Sequence, residues 1–154
     1  PVCYNNIKTL EQYGLKVFNY AISDRVGETL FFESYDPDND NYAPCGAISK
    51  ELCSTERGGG SDLEILQPIA IPCITVEEFC KEQKIEYIDV IHIDVEGHSV
   101  EVLNGFGQFN PKIIFIEVSG VGYDHSFEVF NILDNRDYNL IHSNGCDQVW
   151  VREV

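Results

Sequence analysis

Hydrophobic and polar residues follow two spacings along this chain, and each spacing predicts a type of element. Runs of β-branched residues, such as YIDVIHID at 87–94, are typical of strands buried on both faces. Apolar residues spaced three and four apart, as at 126–136, are typical of helices. We expect strands at 16–22, 28–33, 69–74, 87–94, 111–118, 138–142 and 147–153, and helices at 3–13, 75–83, 97–106 and 126–136.

The stretch 34–68 interrupts this order. DPDNDN at 36–41 and GGGSD at 58–62 are rich in residues that form turns. We therefore expect a long surface loop here, inserted into a single domain that spans 1–154. A length of 154 residues fits one domain.

Strands that alternate with helices indicate an α/β fold with a mostly parallel sheet and helices on both of its faces. The last two strands, 138–142 and 147–153, follow each other closely and are expected to form an antiparallel pair. His92 falls inside a predicted buried strand and is expected to be a core residue. Ligands of such sheets bind beyond the carboxyl ends of the strands.

Carboxylates follow several of the predicted strands. Asp24 comes after the strand at 16–22, Asp94 and Glu96 after 87–94, and Glu117 ends an isoleucine-rich run. Each of them has an alternative role as a helix cap or turn acceptor. Packing does not explain acidic residues at the ends of isoleucine-rich strands, so we predict an acidic rim at one edge of the sheet.

The sequence after the strand at 87–94 carries a recognisable motif. IDVEGHSVEVLNGF at 93–106 resembles the FkbM-type methyltransferase signature D-x-E-G-x-E-x-x-x-L-x-G. Segments at 17–32, 74–94 and 111–118 resemble that family's neighbouring segments in the same order. The resemblance implies a Rossmann-like class I fold and a methyltransferase that uses S-adenosylmethionine. The matching motif residues are Asp94, Glu96, Gly97, Leu103 and Gly105.

Two features depart from the family pattern. Ser99 stands where the family has a second glutamate. No glycine-rich turn between a strand and a helix occurs, and Pro1 resembles the proline of the family's F-E-P motif. By this resemblance the first strands would be missing and the sheet incomplete. We expect a protein partner to cover the strand edge that this would expose.

The resemblance also implies roles for the cofactor site. Ser23 and Asp24 would lie near the adenine of S-adenosylmethionine. Asp94 would face the methionine moiety of the cofactor or the acceptor, which makes it a candidate for both binding and catalysis.

Four more residues are candidates for contact with the acceptor. Glu96 and His98 are candidates for the general base, since imidazole titrates near neutral pH. Glu117 and Ser119 are candidates for lining the acceptor pocket. The alternatives are a solvated first-turn histidine for His98 and a structural carboxylate for Glu117.

The charge balance is acidic, with 26 Asp and Glu against 10 Lys and Arg and a net charge of −16. Such a chain repels nucleic acid and anionic membranes, and no apolar window reaches the length of a membrane span. A cationic ligand would be attracted, although solubility alone also explains the charge.

The six cysteines form no C-x-x-C pair and no zinc-finger spacing. With no sequon and no visible signal peptide, this pattern favours a reducing compartment, such as the cytoplasm or the interior of an organelle.

We therefore predict methylation of a hydroxyl on a small molecule or glycan, with S-adenosylmethionine as cofactor and no resident metal. One alternative is a catalytically inactive methyltransferase-like module with a structural or interaction role. A third hypothesis is a metal-dependent hydrolase built on Asp94, Glu96, His98 and Glu117.

Overall fold

The structure is a computed structural model that describes residues 8–37, 41–48, 50, 64–120 and 122–153. Pro1, the start of the predicted helix at 3–13 and the GGGSD stretch at 58–62 lie outside these residues. Helices of the described part are all too short to cross a membrane.

The elements alternate much as the sequence predicts from residue 69 onward. A 3-10 helix, Lys8–Tyr13, precedes the α-helices α1 (Val76–Gln83), α2 (Ser99–Asn104) and α3 (Ser126–Asp134). The strands are β1 (Ala21–Ile22), β2 (Gly27–Asp36), β3 (Asn41–Ala47), β4 (Glu64–Ile65), β5 (Ile69–Ile74), β6 (Val90–Ile93), β7 (Ile113–Glu117), β8 (Ser119–Gly120), β9 (Tyr123–Asp124), β10 (Tyr138–Ser143) and β11 (Asp147–Arg152).

The chain forms two compact units. One contains Pro1–Ala21 and Gly27–Cys73, and the other contains Ile22–Val26 and Ile74–Val154. Each is described by itself below, and the prediction of a single domain over 1–154 stays a prediction.

The first unit holds a sheet with the strand order β1-β5-β2-β3, in which β4 also pairs with β2. β2 is antiparallel to β3, β4 and β5. The prediction of a continuous surface loop over 34–68 is wrong, because β2 continues to Asp36 and Asn41–Ala47 forms β3. The strand predicted at 16–22 is also reduced to Ala21–Ile22.

The second unit holds a sheet with the order β10-β11-β7-β6. β6 and β7 are parallel, with Ile93 opposite Ile116. β7 is antiparallel to β11, and β11 to β10, so the predicted C-terminal pair is confirmed. The prediction of a mostly parallel sheet is wrong, because β6–β7 is the one parallel pair among the pairings with a described register. Alternation along the chain does not reveal which strands pair.

One face of this second sheet carries the core. Since side chains alternate along a strand, the register places the inward residues of β6, β7 and β11 on the same face. All three α-helices contribute to the same cluster, so the prediction of helices on both faces is wrong for the described residues. The core residues of these elements are Val76, Cys80, Ile93, Val102, Leu103, Ile114, Ile116, Val129, Leu133 and Trp150.

The opposite face of this sheet is open to solvent. Val90 is 52% exposed and Phe115 is 42% exposed. His92 is exposed beside Phe115, so its assignment to the core is wrong. The reason is its position: β6 is an edge strand, and His92 lies on the face without helices. We call this surface the open face; it consists of Val90, His92, Ile113, Phe115, Val149 and Val151.

Candidate functional site

The carboxyl ends of β6 and β7 bring three carboxylates of the second unit near one another. Asp94 and Glu96 follow β6, and Glu117 is the last residue of β7. These strands are parallel, so their carboxyl ends lie at one edge. Burial raises the pKa of the Glu96 carboxyl, and the charges of Glu117 and Asp94 raise it further. We call Asp94, Glu96 and Glu117 the acidic group.

The backbone turns sharply where the acidic group meets α2. Glu96 has φ 48° and Gly97 has φ 85°, so two successive residues are left-handed. This conformation suits glycine and strains a glutamate. The glycine of the D-x-E-G motif therefore has a conformational role. The strained residue, Glu96, is itself a member of the acidic group.

Tyr123 joins the acidic group from the β8–β9 hairpin, and the sequence gives no signal for it. Its phenol donates a hydrogen bond to the Glu117 carboxylate. Burial, this hydrogen bond and the three carboxylates raise the pKa of Tyr123. A Cβ at Gly120 would lie 2.7 Å from the Tyr123 hydroxyl oxygen, so the small residue lets the ring fold back over the hairpin.

A second group of side chains forms where residues 22–26 meet α2. Ser23 is 1% exposed, and its Oγ lies 3.0 Å from His98 Nε2. The other ring nitrogen, Nδ1, lies 3.4 Å from Glu101 Oε2. The His98 side chain is only 14% exposed, so the alternative of a solvated histidine is wrong. Burial lowers the pKa of His98.

Asp24 extends this second group towards solvent. The Ser23 hydroxyl lies within donating distance of Asp24 Oδ1, at 3.1 Å, and the exposed Arg25 donates to the same oxygen at 3.3 Å. The Asp24 side chain is 42% exposed. We call Glu101, His98, Ser23 and Asp24 the hydrogen-bonded row, in which Glu101 and His98 are at ion-pair distance and the other neighbours are at hydrogen-bond distance. Glu101 was missed by sequence reasoning, although its spacing of three residues from His98 on a helix is a usable signal.

Gly105 holds Ser23 in place. A Cβ at Gly105 would lie 2.2 Å from the Ser23 carbonyl oxygen. The Ser23 amide donates to the Ile74 carbonyl at 2.9 Å, and the Gly105 carbonyl accepts from the Glu77 amide at 3.1 Å. The final glycine of the motif thus permits close contact between α2 and the segment that carries Ser23.

No group of three or more His, Cys, Asp or Glu side chains in the described part of the chain is arranged to hold a metal ion. The hypothesis of a metal-dependent hydrolase is therefore not supported. Cys73, Cys80 and Cys146 are free thiols.

Comparison with models of protein families shows to which family the chain belongs. The sequence model of the methyltransferase FkbM domain matches residues 3–140. The chain belongs to the FkbM methyltransferase family. Searches of curated proteins and of solved structures found no match. The FkbM match covers both the acidic group and the hydrogen-bonded row.

Ser99 shows what replaces the second glutamate of the FkbM pattern. It is 1% exposed, and its hydroxyl donates to the Glu117 carbonyl at 2.7 Å. This bond ties the start of α2 to the end of β7. A longer charged side chain would have to leave this buried position, so the substitution exchanges a carboxylate for a structural contact.

The hydroxyl of Ser119 does not contact the acidic group. That hydroxyl donates to the Gly145 carbonyl at 3.0 Å, in the turn between β10 and β11. Of the candidates for acceptor contact in this FkbM-family chain, Glu96 and Glu117 lie together and His98 lies in the hydrogen-bonded row.

A pocket of about 290 Å³ lies elsewhere in the second unit. Its lining comes from residues 86–88 and 108–110, which precede β6 and β7. It is therefore at the amino ends of these strands, opposite the edge with the acidic group.

Proposed function

We propose that this FkbM-family chain transfers a methyl group from S-adenosylmethionine to a hydroxyl of a small molecule or glycan. The observation that carries the proposal is the acidic group, in which burial and neighbouring carboxylates raise the pKa of Glu96. S-adenosylmethionine supplies an electrophilic methyl group on a cationic sulfonium.

The side chains present suit such a cofactor chemically. Carboxylates attract a cation and accept hydrogen bonds from amino and hydroxyl groups. Asp24 and Asp94 are exposed carboxylates of the second unit, and Ser23 fixes the segment that carries Asp24. We assign Ser23, Asp24 and Asp94 to cofactor binding.

Glu96 is the best supported general base. A carboxylate with a raised pKa binds a proton more readily, which suits removal of a proton from an acceptor hydroxyl. His98 is less suited, because both of its ring nitrogens lie next to protein groups. Glu117 and Tyr123 would line the acceptor side, where their hydrogen bond holds the carboxylate in one orientation.

The first test is calorimetric titration of S-adenosylmethionine and S-adenosylhomocysteine into this chain and into the complete product of its gene. We expect the complete product to bind both compounds. Absence of binding to both proteins would overturn the proposal.

The second test assigns the base. Release of S-adenosylhomocysteine is measured with a panel of hydroxylated small molecules and glycans. Glu96→Gln should lower the rate about 10²–10⁴-fold while the affinity for S-adenosylhomocysteine is retained. Glu82→Gln, an exposed site on α1, serves as the matched control. An unchanged rate in Glu96→Gln would exclude this residue as the base.

A second candidate function is an inactive methyltransferase-derived module with a structural or interaction role. Ser99 favours it, since the hydroxyl that replaces the family's glutamate is occupied by the Glu117 carbonyl. The open face would then be the surface for a protein partner. Binding of S-adenosylhomocysteine without methyl transfer to any acceptor would support this candidate.

A further inference from the structure

The hydrogen-bonded row consists of four side chains of the second unit, joined by one ion-pair contact and two contacts at hydrogen-bond distance. Glu101 Oε2 faces His98 Nδ1 at 3.4 Å, and His98 Nε2 faces Ser23 Oγ at 3.0 Å. Ser23 Oγ in turn faces Asp24 Oδ1 at 3.1 Å. The Ser23 hydroxyl has one proton and two polar neighbours, His98 and Asp24, within reach. Since Ser23 is 1% exposed, water does not compete for that proton.

The protons of the row can be placed in two ways. A neutral His98 that donates from Nδ1 to Glu101 leaves Nε2 as an acceptor, so Ser23 donates to His98. A protonated His98 donates from both nitrogens, so Ser23 accepts from Nε2 and donates to Asp24. The charge of His98 and the direction of the Ser23 hydroxyl are therefore coupled.

We propose that Glu101 is a positioning residue that acts through His98, so that the charge of His98 decides whether the Ser23 hydroxyl occupies the Asp24 carboxylate. With His98 neutral, Asp24 Oδ1 accepts from Arg25 and has a further acceptor site for a ligand. With His98 protonated, the Ser23 hydroxyl donates to Oδ1 and competes with the ligand for that site. The role of Asp24 in binding S-adenosylmethionine rests on the proposed function; the coupling within the row does not.

Burial of His98 outweighs the charges around it and sets its protonation state at neutral pH. Burial lowers the pKa of His98 from its ordinary value of 6.5, and Arg25 lowers it further. Glu101 on α2 and Asp24 on the 22–26 segment raise it, but burial is the largest influence. His98 is then neutral at pH 7, and the Ser23 hydroxyl turns to Asp24 only in acid.

The row also resembles a serine nucleophile with its base, but burial argues against that chemistry. A substrate carbonyl has to approach Ser23 Oγ, and this side chain is enclosed in the second unit. Positioning is the role that the geometry favours.

The primary experiment reads the His98 ring nitrogens by ¹⁵N NMR across a pH titration. The unmodified chain should show a neutral Nδ1–H tautomer at neutral pH and a midpoint below 6.5. Glu101→Leu should shift the neutral ring to the Nε2–H tautomer, because the acceptor for Nδ1–H is gone. Glu101→Gln should restore the Nδ1–H tautomer, since its amide oxygen still accepts. Glu82→Leu, on exposed α1, should change nothing.

An Nε2–H tautomer in the unmodified chain would overturn the proposal, and so would an unchanged tautomer in a folded Glu101→Leu variant. The first of these outcomes needs no variant, so the test stands even where a substitution prevents folding.

The second experiment measures the affinity of the complete gene product for S-adenosylhomocysteine against pH. Binding should weaken about tenfold below the His98 midpoint, as expected for loss of one hydrogen bond to a charged group. Ser23→Ala should bind with little dependence on pH. Persistence of the pH dependence in Ser23→Ala would overturn the link to Asp24. Absence of binding at every pH would refute the proposed function, whereas the NMR result would still decide the coupling within the row.

Discussion

Some residues of the motif at 93–106 have a conformational role, and others carry ionisable groups. Gly97 supplies a left-handed turn, and Gly105 supplies space against the Ser23 carbonyl. Glu96 carries the perturbed carboxyl. A single short motif thus contributes residues to both the acidic group and the hydrogen-bonded row.

Gly105→Ala should destabilise the protein by about 1–3 kcal/mol, because the added methyl group would collide with the Ser23 carbonyl. Urea unfolding measures the loss. Asn104→Ala, at the neighbouring exposed position of α2, should change stability by less than about 0.5 kcal/mol. Equal stability of Gly105→Ala and the unmodified chain would show that the segment can move away without cost.

Glu96→Gln should stabilise the fold near neutral pH and leave it unchanged in acid. The pKa of Glu96 is raised in the folded state, so its ionisation opposes folding as the pH rises above the ordinary value of 4.5. Thermal unfolding of both proteins at about pH 4 and about pH 7 tests this. A midpoint at neutral pH that is no higher for the variant would contradict the raised pKa.

The sequence predicts the carboxylates of the candidate site but not the contacts of Tyr123 and Ser119. Glu96 and Glu117 follow parallel neighbours, so their convergence could be expected from the order of strands. Tyr123 depends on how the β8–β9 hairpin folds back, and Ser119 depends on where the β10–β11 turn lies. Such contacts are set by tertiary packing, which no local spacing encodes.

At the scale of elements, α1 follows its sequence signal closely. Thr75 caps the start of the helix, since its hydroxyl accepts from the Glu78 amide at 3.0 Å. The helix ends at Lys84, which adopts a left-handed conformation with φ 56°. Local signals of this kind succeed because both partners lie within one turn of each other.

Thr75→Ala should cost about 1 kcal/mol of stability, since the Glu78 amide loses its acceptor. Thr75→Ser retains a hydroxyl and should stay close to the unmodified protein. The difference between the two variants in urea midpoint isolates the cap. A Thr75→Ser variant as unstable as Thr75→Ala would assign the loss to packing of the threonine methyl group.

Pairing of strands was less predictable than their existence. The dense β-branched run at 87–94 indicates burial on both faces, yet β6 is an edge strand with one face exposed. The sequence predicts a loop over 34–68 because turn-forming residues are frequent there. The structure instead pairs the end of β2 with β3. Composition does not reveal which strands pair, since the partners of β6 and β2 include strands far away in sequence.

At the scale of the whole molecule, the charge and the open face have opposite effects on association. A net charge of −16 keeps chains apart. Val90 and Phe115 present apolar surface next to the outer side of β6, the last strand of its sheet among the described residues, and this favours contact with other chains.

Added salt should therefore promote self-association, because it shortens the screening length from about 30 Å at low ionic strength to about 3 Å at high. Sedimentation velocity at low and at high ionic strength measures the extent of self-association. Val90→Lys places a charge at the exposed edge and should keep the protein monomeric at both. Association that is equally strong in Val90→Lys would move the contact away from the open face.

The contact between Ser23 and His98 joins residues 75 positions apart. Closing so long a segment costs chain entropy, whereas α1 and α2 need only local contacts. We therefore expect the helices to form early in folding and the hydrogen-bonded row to form late. Refolding chains would then regain their helical signal before they regain the contact between Ser23 and His98.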